Sequence, residues 1–144
     1  TENPDAIKPL FEKTALELRE HSLRGWLQYD ALDVGIRDGG ALPRTSPASD
    51  ELGTEYAAEK WRASLTFKRV ERARKLAPGE EATPGYNTVA LYLERHWKRG
   101  DHQIEVWLKG DNLGDELAYN HLSFLKDTAP LPGRQISTGL NWKF

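Results

Sequence analysis

The chain has 144 residues, enough for one domain, with 29% charged and 38% hydrophobic residues and a net charge of −2. Its basic residues are interleaved with acidic ones, so no basic patch suggests a nucleic-acid partner, and we expect none. No run of about 18 apolar residues occurs, which excludes transmembrane helices but not transmembrane β-barrels, whose strands are only about ten residues long.

Apolar and polar residues alternate in segments along the chain, and this period of two predicts β-strands. After Ala31 the alternation changes phase, which indicates a bulge or a strand end. We predict seven strands and no helix of consequence. The strands cover about residues 16–19, 23–31, 52–59, 61–68, 89–96, 104–109 and 134–144.

The connections between the predicted strands alternate in length. Lys60 is a short link, and residues 98–101 form a tight hairpin turn. The segments 33–49, 74–85 and 114–133 are long and hold most of the glycine and proline. Short turns at one rim and long loops at the other are typical of outer-membrane barrels, although a soluble β-sandwich can show them by chance.

The last predicted strand alternates most clearly, with apolar residues on one face up to the final Phe144. This pattern fits lipid on one side and a wet lumen on the other. We therefore expect an all-β chain of antiparallel up-and-down strands that forms a sector of a transmembrane β-barrel. The expected lipid-facing residues include Leu91, Leu93, Leu108 and Leu140, and the expected lumen-facing ones include Glu94, Lys109 and Asn141.

Three tryptophans, Trp26, Trp61 and Trp97, lie near predicted strand ends. Aromatic belts at membrane interfaces favour that placement, and ordinary core tryptophans are the alternative. Asp50 and Thr54 occupy positions of the expected lipid face that would more often be apolar, which weakens this expectation for their strand.

A long loop of the chain combines an imidazole with carboxylates. His121 lies there with Asp115, Glu116 and Asp127, and these donors suit zinc or a similar divalent ion. These four residues are our ligand candidates, with His121 as the metal-binding residue. We favour the alternative that the loop is architectural, with His121 and Asn120 hydrogen-bonded to neighbouring loops.

Catalytic chemistry has little support in the sequence. Ser123 and Ser137 have no neighbouring histidine that suggests a triad, and no phosphate-binding glycine loop is present. Cysteine is absent, which removes disulfides and thiolate metal sites. We expect no enzymatic activity and no cofactor other than a zinc ion or metal chelate as ligand.

The segments 111–116, 120–127 and 129–134 are similar to the end of TonB-dependent outer-membrane receptors, and most similar to the branch associated with zinc and related metals. In that family an N-L-x-D unit closes the penultimate strand and a P-G-R unit leads into the final strand. The resemblance runs from about residue 14 to the end. The residues that match the C-terminal signal read by the outer-membrane assembly machinery are Ser137, Gly139, Trp142 and Phe144.

The resemblance implies that residues 1–144 are the C-terminal part of a receptor barrel in the bacterial outer membrane, without the plug domain and the earlier strands. Family barrels of this kind have about 22 strands, which seven strands cannot replace. The absence of methionine fits a processed chain or a piece of a longer one. The implied function is to form barrel wall and extracellular loops of a receptor that imports a scarce metal ion or metal chelate.

The implied partners are the remainder of the receptor, the outer-membrane assembly machinery, lipopolysaccharide and lipid. The alternative is a soluble β-barrel or sandwich that binds a small ligand. A small structural barrel is a third possibility, but it needs an eighth strand from Ala6–Phe11, which Pro9 disfavours because proline removes a ladder donor.

Overall fold

A computed structural model describes residues 14–18, 21–32, 41–126 and 128–144. The described residues form seven strands in one antiparallel sheet, and the strands follow one another in sequence order. This confirms the prediction of an all-β, up-and-down chain. The strands are β1 (Thr14–Leu18), β2 (His21–Asp30), β3 (Ser49–Ala58), β4 (Trp61–Val70), β5 (Tyr86–Arg99), β6 (His102–Asp111) and β7 (Gln135–Lys143).

The strands β3 and β5 are longer than their alternation predicts. β3 begins at Ser49, which pairs with Asp30, and β5 begins at Tyr86, which pairs with Val70. Backbone hydrogen bonds to a neighbouring strand extend a strand beyond its apolar positions, and a single-strand pattern does not show them. The proposed eighth strand at Ala6–Phe11 lies outside the described residues.

One face of the sheet is apolar across the strands. In one row of paired residues Leu27 lies opposite Leu52, which lies opposite Phe67. The register confirms that the residues expected to face lipid share this face and that the residues expected to face the lumen share the other. We call the two surfaces the apolar face and the polar face.

The sheet is a single layer in the part of the chain that is described. Within residues 21–32, 41–126 and 128–144, the only buried hydrophobic residues are Ala73 and Ala118, and both lie outside the strands. Large residues of the apolar face are exposed, for example Leu140 at 63% and Leu52 at 56%. The described residues contain no helix long and apolar enough to cross a membrane.

Two short connections confirm the predicted turns. Glu59 and Lys60 join β3 to β4, and Gly100 with Asp101 joins β5 to β6. Gly100 has a φ of +60°, which glycine adopts without steric cost. Because the sheet is antiparallel and follows sequence order, these turns lie at one rim and the long connections after β2, β4 and β6 lie at the other.

The polar positions noted on the apolar face have partners. Asp50 is the second residue of β3 and lies opposite Arg69 at the long-loop rim. The Thr54 hydroxyl donates to the Arg24 carbonyl oxygen at 3.1 Å. The face therefore keeps its apolar middle, with the charged pair placed at one end.

The tryptophans divide between the two faces. Trp61 and Trp97 lie near the short-turn rim on the apolar face, as predicted. The predicted strand-end position of Trp26 is wrong, because Trp26 lies in the middle of β2 on the polar face. Its indole covers Gly53 of β3, where no side chain occupies the space, and its Nε1 donates to Glu51 at 3.1 Å.

Candidate functional site

The long connections pack against one another at their rim. We call residues 41–48, 71–85, 112–126 and 128–134 the loop cluster. A backbone hydrogen bond from Glu71 N to Ala48 O, at 2.8 Å, joins the first two segments. The Arg44 guanidinium lies 3.4 Å from the centroid of the Phe124 ring, which joins the first segment to the third.

His121 is buried within the loop cluster and is only 2% exposed. Its Nδ1 is 3.1 Å from the Thr83 hydroxyl, and its Nε2 is 3.4 Å from Glu80 Oε1. These contacts join the loop after β6 to the loop after β4. They are contacts of the kind that the architectural hypothesis requires, whereas Asn120 accepts a hydrogen bond from Leu122 N of its own loop.

Glu80 is a second fixed point of the loop cluster. Its carboxylate accepts hydrogen bonds from the backbone N–H groups of Ala77, at 3.0 Å, and of Arg44, at 2.8 Å. The Ala77 hydrogen bond holds the pKa of Glu80 below its ordinary value, with help from Arg44 N–H and the charges of His121 and Lys126. This carboxylate, whose side chain is 8% exposed, therefore holds two backbone segments, at Ala77 and Arg44, and contacts the His121 side chain of a third.

Asn112 and Asp115 close the long loop at its base. Asn112 Nδ2 donates to the carbonyl oxygens of Glu116 at 2.9 Å and Pro132 at 3.4 Å, and Asn112 Oδ1 accepts from Glu116 N. Asp115 Oδ1 accepts from Arg134 N at 2.8 Å. The N-L-x-D and P-G-R units thus contact each other directly and hold the entry and exit of the loop together.

The loop candidates are only partly brought together. Asp115 and Glu116 take part in the closure at the base, while His121 is buried against Thr83 and Glu80. Asp127 lies outside the described residues. Metal binding by His121 stays a prediction.

Three of the proposed assembly residues lie on the edge strand β7, and Phe144 follows its last residue. Ser137 and Gly139 lie on the polar face, and Trp142 lies on the other. The Trp142 and Phe144 rings meet edge-on with centroids 6.1 Å apart, and Phe144 is 93% exposed. Gly139 has a further local role, because the indole of Trp107 covers it so closely that a Cβ there would lie 2.4 Å from the ring.

One group of side chains with atoms suited to metal ligation was missed by sequence reasoning. Glu94, His96 and Glu105 each offer a ligand atom on the polar face near the short-turn rim, and these atoms all lie within 4.8 Å of one another. No other such trio with carboxylates, imidazoles or thiols occurs in the described ranges. In the structure Arg99 lies opposite His102, and this register places Glu105 opposite His96. The turn predicted at 98–101 would instead have placed Gln103 there, so the sequence-based turn did not reveal the trio.

The loop cluster and the trio of Glu94, His96 and Glu105 differ in how open they are to a ligand. The loop cluster is a packed set of polar contacts whose groups bind one another, while the trio lies on an accessible strand surface. His96 and Glu105 also line a cleft of about 480 Å³ together with Asn141. No protein-family model matches the sequence.

Proposed function

We propose that the chain forms part of the wall and the outer loops of a TonB-dependent receptor that imports a scarce metal ion or metal chelate across the bacterial outer membrane. The resemblance over residues 111–144 supplies the family and the cargo class. The uncovered apolar face of the sheet is the structural observation that supports the membrane location.

A sheet in a water-soluble domain buries its apolar face against a second layer. The described residues provide no such layer, and Leu52, Ile136 and Leu140 are each more than half exposed. Exposed apolar patches far larger than those of soluble monomers mark interaction surfaces. Lipid would cover the apolar side chains of all the strands of the sheet alike.

The strand lengths match the thickness of a bilayer. β2, β3, β4 and β6 each have 10 residues, and a tilted strand needs about 9–11 residues to cross the hydrocarbon core. At the short-turn rim, the apolar face also carries two tryptophans and an arginine, residue types that are common at membrane interfaces. There the Arg95 guanidinium lies 4.6 Å from the Trp61 ring and 4.8 Å from the Trp97 ring.

The two edge strands of the sheet require further strands as partners if the sheet lies in a membrane. β1 and β7 are the edge strands, and an open edge in lipid leaves backbone groups without hydrogen bonds. In the proposed receptor both edges pair with further strands of the barrel, and the polar face looks into the lumen. The loop cluster then lies outside the cell, next to lipopolysaccharide.

Lipid quenching of tryptophan fluorescence tests the membrane location. Variants that keep one tryptophan each, with the others changed to Phe, are reconstituted in vesicles of brominated phospholipid. We expect strong quenching for Trp61 and Trp97 on the apolar face and weak quenching for Trp26 and Trp107 on the polar face. The matched pairs control for the overall efficiency of reconstitution.

Two results would count against the proposal. Equal quenching on both faces would mean that the sheet does not separate lipid from water. A chain that is monodisperse in buffer without detergent, with no lipid quenching in any of the four single-tryptophan variants, would favour the soluble ligand-binding alternative.

A further inference from the structure

Two adjacent strands place three metal-binding side chains on one surface. Glu94 and His96 are two residues apart on β5 and therefore point to the same face. Glu105 of β6 lies directly opposite His96. We propose that Glu94, His96 and Glu105 bind a divalent transition-metal ion of the zinc type on the polar face, near the short-turn rim.

Neighbouring side chains hold the carboxylates in place. Tyr92 OH donates to Glu94 Oε2, and Asn141 Nδ2 of β7 donates to Glu105 Oε1 at 2.7 Å. Glu94 is 7% exposed, so its carboxylate has little freedom to turn away. Such outer hydrogen bonds are typical of metal sites, where they orient the ligands.

The imidazole lies between two carboxylates. His96 Nε2 contacts Glu94 Oε1, and His96 Nδ1 is 3.6 Å from Glu105 Oε2. Both ring nitrogens therefore lie beside a carboxylate oxygen, the arrangement in which a ring nitrogen and carboxylate oxygens can share one cation. A divalent cation placed among these atoms takes the place of the proton between the imidazole and the carboxylates and contacts donors from both strands.

The donor set indicates the kind of metal. One imidazole nitrogen and two carboxylate oxygens suit Zn²⁺ and similar first-row ions, whereas Ca²⁺ and Mg²⁺ take oxygen ligands. Three protein ligands leave coordination positions for water or for a passing chelate. The cleft beside His96 and Glu105 opens this side of the trio to solvent.

The inference depends on the pairing of β5 with β6 and not on the proposed membrane location. If the chain is part of a receptor barrel, the site lies on the lumen wall at the rim opposite the loop cluster. A metal that crosses the barrel would then meet it after passing the outer loops.

A titration of the full chain in detergent micelles tests the site. Zn²⁺ affinity is measured by competition with a chromogenic chelator, and Co²⁺ is added separately because its visible spectrum reports ligation. We expect one ion per chain, a loss of about tenfold or more in affinity for His96→Gln and Glu105→Gln, and about tenfold for Asn141→Ala. Excess Ca²⁺ should not displace the ion.

His102→Gln is the matched control, because His102 is an exposed histidine at the same rim and outside the trio. Both His96 and Glu105 are partly exposed, so their variants are expected to keep the wild-type circular dichroism spectrum. No stoichiometric binding by the wild type, or an equal loss in His102→Gln, would overturn the proposal. Either result would leave the tryptophan-quenching test of the membrane location unaffected.

Discussion

Gly139 shows how one residue serves a local contact and a proposed signal at once. Its absent side chain leaves room for the Trp107 indole on the polar face. We expect Gly139→Ala to destabilise the chain by about 1–3 kcal/mol, because a Cβ would overlap the ring. In a Trp107→Ala background the same change should cost much less, which a double-mutant cycle of denaturant unfolding measures.

The assembly hypothesis predicts a different result at the same position. If the outer-membrane assembly machinery reads Gly139 itself, Gly139→Ala should lower the amount of assembled protein equally in both backgrounds. Gln135→Ala serves as a control on the same face and strand, since Gln135 lies opposite Asp111 and outside the proposed signal.

Glu80 makes the loop cluster sensitive to acid. Its folded pKa is depressed below the ordinary value of 4.5, so its ionised form stabilises the folded loops at pH values above about 4.5. That contribution is lost as the pH falls through the lower, folded pKa. We expect amide hydrogen exchange near Ala77 and Arg44 to increase in this range in the wild type.

Glu80→Gln should remove most of this pH dependence and expose the same amides already at neutral pH. Glu81→Gln is the matched control, because the Glu81 side chain is exposed. An identical acid response in Glu80→Gln and the wild type would mean that other carboxylates control the loops.

At the scale of the elements, the pairing of β2 with β3 depends more on Gly53 of β3 than on Gly25 of β2. An ideal Cβ at Gly53 would lie 2.0 Å from Trp26 Cζ2, whereas one at Gly25 would meet only Gly53 O at 3.8 Å. We expect Gly53→Ala to cost about 1–3 kcal/mol and Gly25→Ala to be nearly neutral. Denaturant unfolding followed by Trp26 fluorescence compares them, and equal effects would contradict the assigned contact.

The loop after β6 also behaves as a single element. Asn112 and Asp115 adopt positive φ angles of 48° and 55°, which Asn and Asp tolerate better than most residues. Their side chains then bond to Glu116, Pro132 and Arg134. The residues that carry the family resemblance are therefore the ones that close this loop.

At the scale of the whole molecule, the two faces of the sheet should respond oppositely to an added charge. Leu65 and Ser64 are adjacent in the middle of β4 but lie on the apolar and polar faces. We expect Leu65→Arg to make folding into lipid vesicles less favourable by about 2–4 kcal/mol, the cost of a cation at the bilayer midplane.

Ser64→Arg should fold nearly as well as the wild type, because its cross-strand neighbours are Glu55 and Tyr92 of the polar face. Folding into vesicles is measured by protection from protease. Equal tolerance of both substitutions would indicate that the apolar face does not contact lipid.

The sequence by itself determined the strand content, the two faces and the position of the short turns. These features depend on period-two alternation and on turn residues such as Gly100, which act within a few positions of the chain. The ladder extensions at Ser49 and Tyr86 were not predictable in this way, because the hydrogen bonds that create them belong to neighbouring strands.

Only the tertiary structure decided which functional groups meet. His121 contacts Thr83 across 38 positions of sequence, and Trp26 contacts Glu51 across 25. Such contacts follow from loop packing and from strand register, where a shift of one residue would move every side chain to the opposite face. The β5–β6 register likewise brought Glu105 to Glu94 and His96, a trio whose members lie on two different strands.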